Sequence, residues 1–309
     1  MTDLAIGLWG LSGPNTANGI QLGWDEVNRP VDVLKRAFEL GAAALDTSDF
    51  YGAGRGELLV NEALSVSEFA NIPIFTKGGL RQSGEAKNGT IPRSFDPDYI
   101  CSAFSASYRR LGERTVDTYF LHGPTIDAFT DGRLLRTLEK LRDEGRVRRF
   151  GLSLRRSGLK NPAYLQAVSN DTFFDVIQLP ISPLYADVVT QLRGGLFSDK
   201  ILFARSINGH GLLLKDAVDE NDFSSSDHRR GLLDEAFTEQ VRKTAVVIDR
   251  FSRAIGVSRI RFLRSYALAV NVEAIILGAR NVSQVEEGFT MNLAPLDDDI
   301  LRAFHNELK

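Results

Sequence analysis

Four side chains of this sequence could together deliver a proton: Asp46, Tyr51, Lys77 and His122. They supply a carboxylate, a phenol, an amine and an imidazole. Asp46, Lys77 and His122 close three separate apolar runs (AAALD, IPIFTK and VDTYFLH), and Tyr51 lies five residues past Asp46. Reduction of a carbonyl places negative charge on oxygen as hydride reaches carbon, and a donor within hydrogen-bond reach lowers that barrier. A phenol with a pKa of about 10 donates poorly near neutrality, and a neighbouring ammonium lowers that pKa. Tyr51 is therefore the candidate acid and Lys77 the group that tunes it. Asp46 would hold Lys77 charged and aligned, and His122 would orient the substrate carbonyl. Each has a plainer reading alone: a packing tyrosine, a solvated lysine, a turn-capping aspartate, a satisfied interior histidine. The four together favour chemistry.

The elements that must position them alternate along the chain. LAIGLWG, AAALDTS, IPIFTKGG, VDTYFLHGP, RRFGLSL, FDVIQLPIS, ILFARS and VEAIILGA read as strands. Amphipathic segments between them read as helices, among them DEVNRPVDVLKRAFELG, DPDYICSAFSASYRRLG and DGRLLRTLEKLRDEGRV. Further helices are predicted at about 235–255, 258–270 and 297–308. Eight strands separated by helices, with no linker between halves, predict an α/β fold. It is a single (β/α)8 TIM barrel domain over residues 1–309, with strand ends meeting around one pocket. An open dinucleotide-binding sheet would need G-x-G-x-x-G after the first strand. GLSGPNTANG lacks it, and so does YGAGRGE. The polar segment 215–234 reads equally as a flexible loop over a pocket and as a solvated insertion.

With 309 residues and 43% hydrophobic content, the chain can bury a large core. A net charge of −3 gives no basic excess to attract nucleic acid or anionic lipid, so a small metabolite is the expected partner. No apolar run is long enough to span a membrane and no leader is visible, which points to a cytoplasmic enzyme. Cys101, the single cysteine, excludes an internal disulfide and is expected to be a small buried residue. His210, His228 and His305 show no metal-ligand spacing, so no metal is assigned.

DTSDFYGAGRGELLVNEAL, FTKGG and YFLHGP, followed by FGLS, VIQLPISPL, ARSINGHGLL and IILGARNVSQVEEGF, resemble the aldo-keto reductase superfamily over nearly the whole chain. The resemblance implies a (β/α)8 barrel, an extended nicotinamide cofactor, and reversible reduction of an aldehyde or ketone to the alcohol. It places Ser153 and Gln178 at the nicotinamide carboxamide and Arg205 where the nicotinamide ring is stacked. Ser206, Gly211 and Leu212 fall along the pyrophosphate, and the block from Gly278 to Glu287 at the adenosine end. There Arg280 would meet the 2′-phosphate or adenine, with Gln284 and Glu287 completing the site; alternatively Arg280 is an exposed arginine pairing with Glu286 or Glu287.

The chain departs from the family pattern at Leu154, Gln284 and Gly288, where Asn, Arg and Asn are usual, and at Gly56, where Ser is common. NADPH is the expected cofactor because of Arg280, with NADH the alternative. The family's N-terminal bottom-closing hairpin is expected to be absent. An NAD-dependent aldose or alcohol dehydrogenase is the second function on this fold, and a non-catalytic NADPH-binding regulatory subunit the third. Substrate, reaction direction and oligomeric state are left open by the sequence.

Overall fold

The computed structural model describes residues 3–18, 20–84, 91–216, 218–219, 223, 227, 229–289 and 293–308. Eight parallel strands close into a barrel: β1 (Asp3–Gly7), β4 (Ala44–Asp46), β5 (Ile74–Gly78), β6 (Val116–His122), β7 (Val147–Ser153), β8 (Val176–Pro180), β9 (Ile201–Arg205) and β10 (Ala274–Gly278). Closure is made by β1, which pairs with β10 on one side and β4 on the other. The fold expected from the alternating pattern is the one observed.

Each strand runs as an almost unbroken apolar stretch because both of its faces are buried. Leu45, Ile74, Leu121, Leu152, Ile177, Leu202 and Ile275 pack outward under the helices. Ala5, Ala44, Phe75, Phe120, Val176, Phe203, Ala274 and Ile276 fill the inside. Phe203 stands 4.8 Å from Phe75 and 5.9 Å from Phe120, ring centre to ring centre. These three rings form an apolar floor. Gly151 leaves room for it, since a Cβ there would stand 2.5 Å from the Phe120 ring.

Between strands lie α1 (Pro30–Glu39), α2 (Arg55–Leu64), α3 (Pro97–Arg110), α4 (Ile126–Thr130), α5 (Gly132–Asp143), α6 (Pro162–Asn170) and α7 (Ala186–Arg193). The last four are α8 (Glu235–Ala254), α9 (Arg259–Leu268), α10 (Val282–Gly288) and α11 (Asp298–Glu307). The first helix starts at Pro30, five residues later than its amphipathic pattern begins, because Arg29 is left-handed (φ 54°) and Pro30 sets the first turn. Helix α3 starts where Asp96 accepts from the Asp98 and Tyr99 amides. It buries Ile100, Phe104 and Ser107, a spacing that turns Cys101 outward, so the cysteine is exposed rather than buried. Phe129 is fully buried on α4 and packs against Tyr164.

An antiparallel pair, β2 (Pro14–Ala17) and β3 (Ile20–Gly23), follows β1 at the mouth. Asn15 of β2 donates to the Phe50 carbonyl at 2.6 Å and so ties the hairpin to the chain just before Tyr51.

One buried ion pair braces the outside of β5. Glu57 on α2 is fully buried, accepts from Thr76 Oγ1 at 2.6 Å, and pairs with Arg110 of α3 at 2.7 Å. Arg110→Met strands that carboxylate in the interior and should lower unfolding stability by about 3 kcal/mol, read from urea melts. An unchanged midpoint would show that water reaches Glu57.

Candidate active site

Side chains alternate across a strand, so a residue two steps beyond an inward core residue also faces inward, one layer higher. From Ala44, Phe75, Phe120, Gly151, Val176 and Phe203, that step reaches Asp46, Lys77, His122, Ser153, Gln178 and Arg205. These six polar residues thus form a ring on the C-terminal rim, directly above the phenyl floor. Tyr51 reaches the same ring from the loop after β4. The loop turns there through Gly52 (φ 55°), where a Cβ would stand 2.1 Å from the Ser12 carbonyl oxygen, so only glycine fits.

The four residues singled out by type converge. Lys77 Nζ donates to both Asp46 oxygens at 2.8 and 2.7 Å and to the Thr47 carbonyl at 2.7 Å. Both partners are buried. The ammonium lies 5.2 Å from the centre of the Tyr51 ring, and that ring meets His122 edge-on at 6.1 Å. Trp9 covers Tyr51 on another side at 4.8 Å. One expectation is corrected: the Tyr51 pKa is raised, not lowered. Burial pushes it up and Asp46 adds to this, outweighing the downward pull of Lys77 and Arg205. Tyr51 therefore holds its proton firmly near neutral pH.

His122 is held well below the ordinary imidazole range by burial and by the positive charges of Lys77, Arg205 and Arg93. Its ring is neutral at pH 7, with one proton shared between two nitrogens. Nδ1 stands 3.3 Å from Ser48 Oγ, which also donates to Asp49 Oδ1 at 3.1 Å. The Asp49 carboxyl is pushed up to about 8 by burial and by Glu57, against the weaker pull of Ser48, Arg110 and the Phe50 amide. Neither Ser48 nor Asp49 was marked by sequence; the signal was their place inside the D-T-S-D-F-Y run.

The expected cofactor-side residues divide into two groups. Ser153 Oγ donates to Gln178 Oε1 at 2.8 Å, and Gln178 Nε2 donates to Asp46 Oδ1 at 2.7 Å. These two therefore belong to the same network as Lys77. Arg205 donates to the Leu154 carbonyl at 2.6 Å and to Ser206 Oγ at 3.3 Å. Ser206 is left-handed (φ 53°), as is Gly211 (φ 82°). The Leu212 side chain is buried in the core, so only its main chain can face a ligand. Gly278 ends β10 with open space where a Cβ would stand.

At the far end, Arg280 donates to the Asp25 carbonyl at 2.9 Å and lies 4.9 Å over the Trp24 ring, with its Nε buried and unpartnered. It does not pair with Glu286, whose partner is Arg36. Gln284 Oε1 caps the Arg280 amide at 2.8 Å, and Glu287 is exposed one residue past Glu286. Trp24 also carries Arg229, 4.0 Å above its ring. Arg229 pairs with Asp227 at 2.6 Å and stacks on Phe223 at 4.1 Å. Phe223 and Asp227 are both buried. So these described parts of the 215–234 segment are packed, not solvated, while residues 217, 220–222, 224–226 and 228 lie outside the described residues. Among the described residues, no group of three or more His, Cys, Asp or Glu could hold a metal ion.

A profile of the Aldo/keto reductase family matches residues 3–306. The chain belongs to the aldo/keto reductase family. It is an oxidoreductase of that family, which works with nicotinamide cofactors. It is similar to an uncharacterised oxidoreductase, YqkF, of Bacillus subtilis strain 168: 26% identity, covering 92% of this chain and 89% of the relative. Its fold is shared with the glycerol dehydrogenase AKR11B4 of Gluconobacter oxydans, at TM-score 0.77 and 23% identity over 99% of this chain and 90% of that one. It is shared too with the aldo-keto reductase AKR11C1 of Bacillus halodurans in its holo form, at TM-score 0.73 and 22% identity over 99% and 92%. Among the described residues, no helix is long and apolar enough to cross a membrane.

The raised Asp49 pKa makes stability depend on pH. The folded state keeps this proton up to about 8, whereas an unfolded aspartate releases it near 3.8. The contribution of Asp49 to stability is therefore complete below about pH 4 and is lost as pH rises through 8, by at most about 1.4 kcal/mol per unit and less where solvent reaches Asp49. Asp49→Asn should flatten this decline in urea midpoints measured from pH 5 to 9; a parallel decline in both proteins would refute it.

Proposed function

We propose that this reductase family member reduces an aldehyde or ketone to the alcohol with NADPH, using Tyr51 as the proton donor. The observation that carries the reading is the closed contact set of Asp46, Lys77, Tyr51 and His122 at one rim of the barrel. When bound, the nicotinamide supplies hydride to the carbonyl carbon.

The chain's own residues do the rest. Asp46 and the Thr47 carbonyl fix the Lys77 ammonium beneath Tyr51. As charge grows on the substrate oxygen, the Tyr51 hydroxyl transfers its proton to it, and the ammonium stabilises the phenolate left behind. A raised phenol pKa does not hinder this, because an alkoxide is far more basic than a phenolate. His122 donates to the same oxygen through Nε2. That requires Nδ1 to accept, and a Ser48 hydroxyl donating from 3.3 Å sets this tautomer. Ser48 donates this way when Asp49 is protonated and can donate in turn.

Groups along the groove fit a nicotinamide dinucleotide in charge and shape. Ser153 and Gln178 keep one amide N–H and hydroxyl lone pairs for a carboxamide after satisfying each other and Asp46. Arg205 offers a guanidinium plane at the rim. The main chains of Ser206, Gly211 and Leu212, with open space at Gly278 and Arg229 Nη1 3.9 Å from a Cβ position on Gly211, would take the pyrophosphate. The unpartnered Arg280 Nε, beside Arg229, favours a 2′-phosphate and hence NADPH. Gln284, turned back to cap the Arg280 amide, brings no charge, and Glu287 lies beside it. This absence of a second cation on α10 keeps oxidation of an alcohol with NAD⁺ as the second reading.

Tyr51→Phe should lower turnover of a reactive aldehyde about 100-fold or more while cofactor binding, followed by fluorescence, persists. Retained turnover would remove Tyr51 from the role. Catalytic efficiency with NADPH, NADH, NADP⁺ and NAD⁺ ranks the two readings. Arg280→Ala should shift the NADPH-to-NADH ratio toward NADH by about tenfold or more, the weight of a lost charge-assisted hydrogen bond. An unmoved ratio would leave Arg280 a purely structural residue.

A further inference from the structure

The rim carries positive charge that carbonyl chemistry does not use. Gly123 follows His122 at the end of β6. A Cβ on Gly123 would stand 2.6 Å from Arg155 Cγ and 3.5 Å from Arg93 Nε. The two arginines reach this spot from different loops, Arg93 from the segment between β5 and α3, Arg155 from the turn after β7. Both are partly buried. Arg93 Nη1 donates to the Ile91 carbonyl at 2.9 Å, and its Nε is buried with no hydrogen-bond partner.

Among the described residues, neither arginine pairs with a carboxylate. Elsewhere in the chain Arg36, Arg110, Arg148 and Arg259 each lie within 2.9 Å of one. Burial and the charge of Arg155 lower Arg93 to about 10, which leaves it a cation at neutral pH. Two half-buried arginines that converge on one spot without a counter-charge repel and are costly to desolvate. An anion between them relieves both costs, and a guanidinium fork matches carboxylate or phosphate.

The cofactor's own phosphates do not account for this pair. In barrel order, β6 lies four strands from β10 in either direction, so Arg93 and Arg155 sit diametrically across the mouth from Arg280. We propose that Arg93 and Arg155 bind an anionic group of the substrate, making the substrate an aldehyde or ketone that also carries a carboxylate or phosphate. The proposal rests on the reading of Tyr51 and His122 as the groups facing the reacting oxygen. The anion is then held on the His122 side of that oxygen, which fixes the substrate's orientation before hydride arrives.

Two substrate pairs test it and separate the two anions: 4-carboxybenzaldehyde against 4-formylbenzamide, and glyceraldehyde 3-phosphate against glyceraldehyde. In at least one pair, the charged member should show kcat/KM about tenfold or more above the neutral one. Arg93→Gln and Arg155→Gln should each cut that ratio about tenfold, chiefly through KM, and Arg93→Lys should restore part of it. A ratio near one in the wild type, or one that neither variant changes, overturns the proposal; a structural role alone lowers both members equally.

Calorimetric titration with benzoate and inorganic phosphate gives a readout independent of turnover, on protein loaded with whichever of NADPH and NADH binds more tightly. Binding of at least one anion, weakened about tenfold in Arg93→Gln, supports the site. Anion binding without reduction of any aldehyde would refute the reductase reading and leave the site standing. Reduction without charge preference or anion binding would refute the site alone. Anion binding abolished by cofactor loading would assign the arginines to the cofactor and overturn the proposal.

Discussion

The contact between Lys77 and Asp46 sets the conditions for everything around it. An ammonium with no solvent exposure on its side chain is tolerable only beside a carboxylate and a full set of acceptors. Asp46 supplies two and Thr47 a third. Removing either member leaves an unpaired charge in the interior, a loss of about 3–5 kcal/mol. The pair therefore fixes its own surroundings. Gln178 must turn its amide toward Asp46, Ser153 must serve Gln178, and Tyr51 must lie over the ammonium. Stability and the reactivity proposed for Tyr51 would thus depend on the same few hydrogen bonds.

A second cost is spread around the rim. Arg93, Arg155 and Arg205 stand there without carboxylate partners among the described residues, and the charges of Arg205 and Arg93, with that of Lys77, help keep the His122 imidazole neutral. A protein selected for stability alone would pair or remove such charges. Unpaired cations gathered at the rim of the pocket are the pattern expected where function opposes stability.

Much of this was legible in the chain. The barrel followed from apolar runs broken by amphipathic stretches, because strands buried on both faces cannot be polar within. Asp46, Lys77 and His122 of the polar ring followed from single residues ending those runs, while Ser153, Gln178 and Arg205 were placed only by the family resemblance. What lay beyond reach depended on three-dimensional approach. The β2–β3 hairpin is marked only by short polar stretches around Asn18. Cys101 appeared buried because its helix is amphipathic, but one residue of phase turns it outward. The upward Tyr51 shift needs the balance between burial and Lys77, and a sequence gives the partner without the depth. Ser48 and Asp49 look like filler between Asp46 and Tyr51 until Ser48 is seen beside His122. The ties of Trp24 to Arg229 and Arg280 span over 200 residues, a separation that no local pattern reports.

The phenyl floor has its own effect on the traffic of protons. Phe75, Phe120 and Phe203 seal the barrel just below the polar ring, with no donor or acceptor to pass a proton downward. Under the chemistry proposed for Tyr51, a phenolate formed there would be resupplied from the open end, along the route by which product would depart. Recharging the acid and emptying the pocket would then be one event, and a bulky product slow to leave would also delay the next proton.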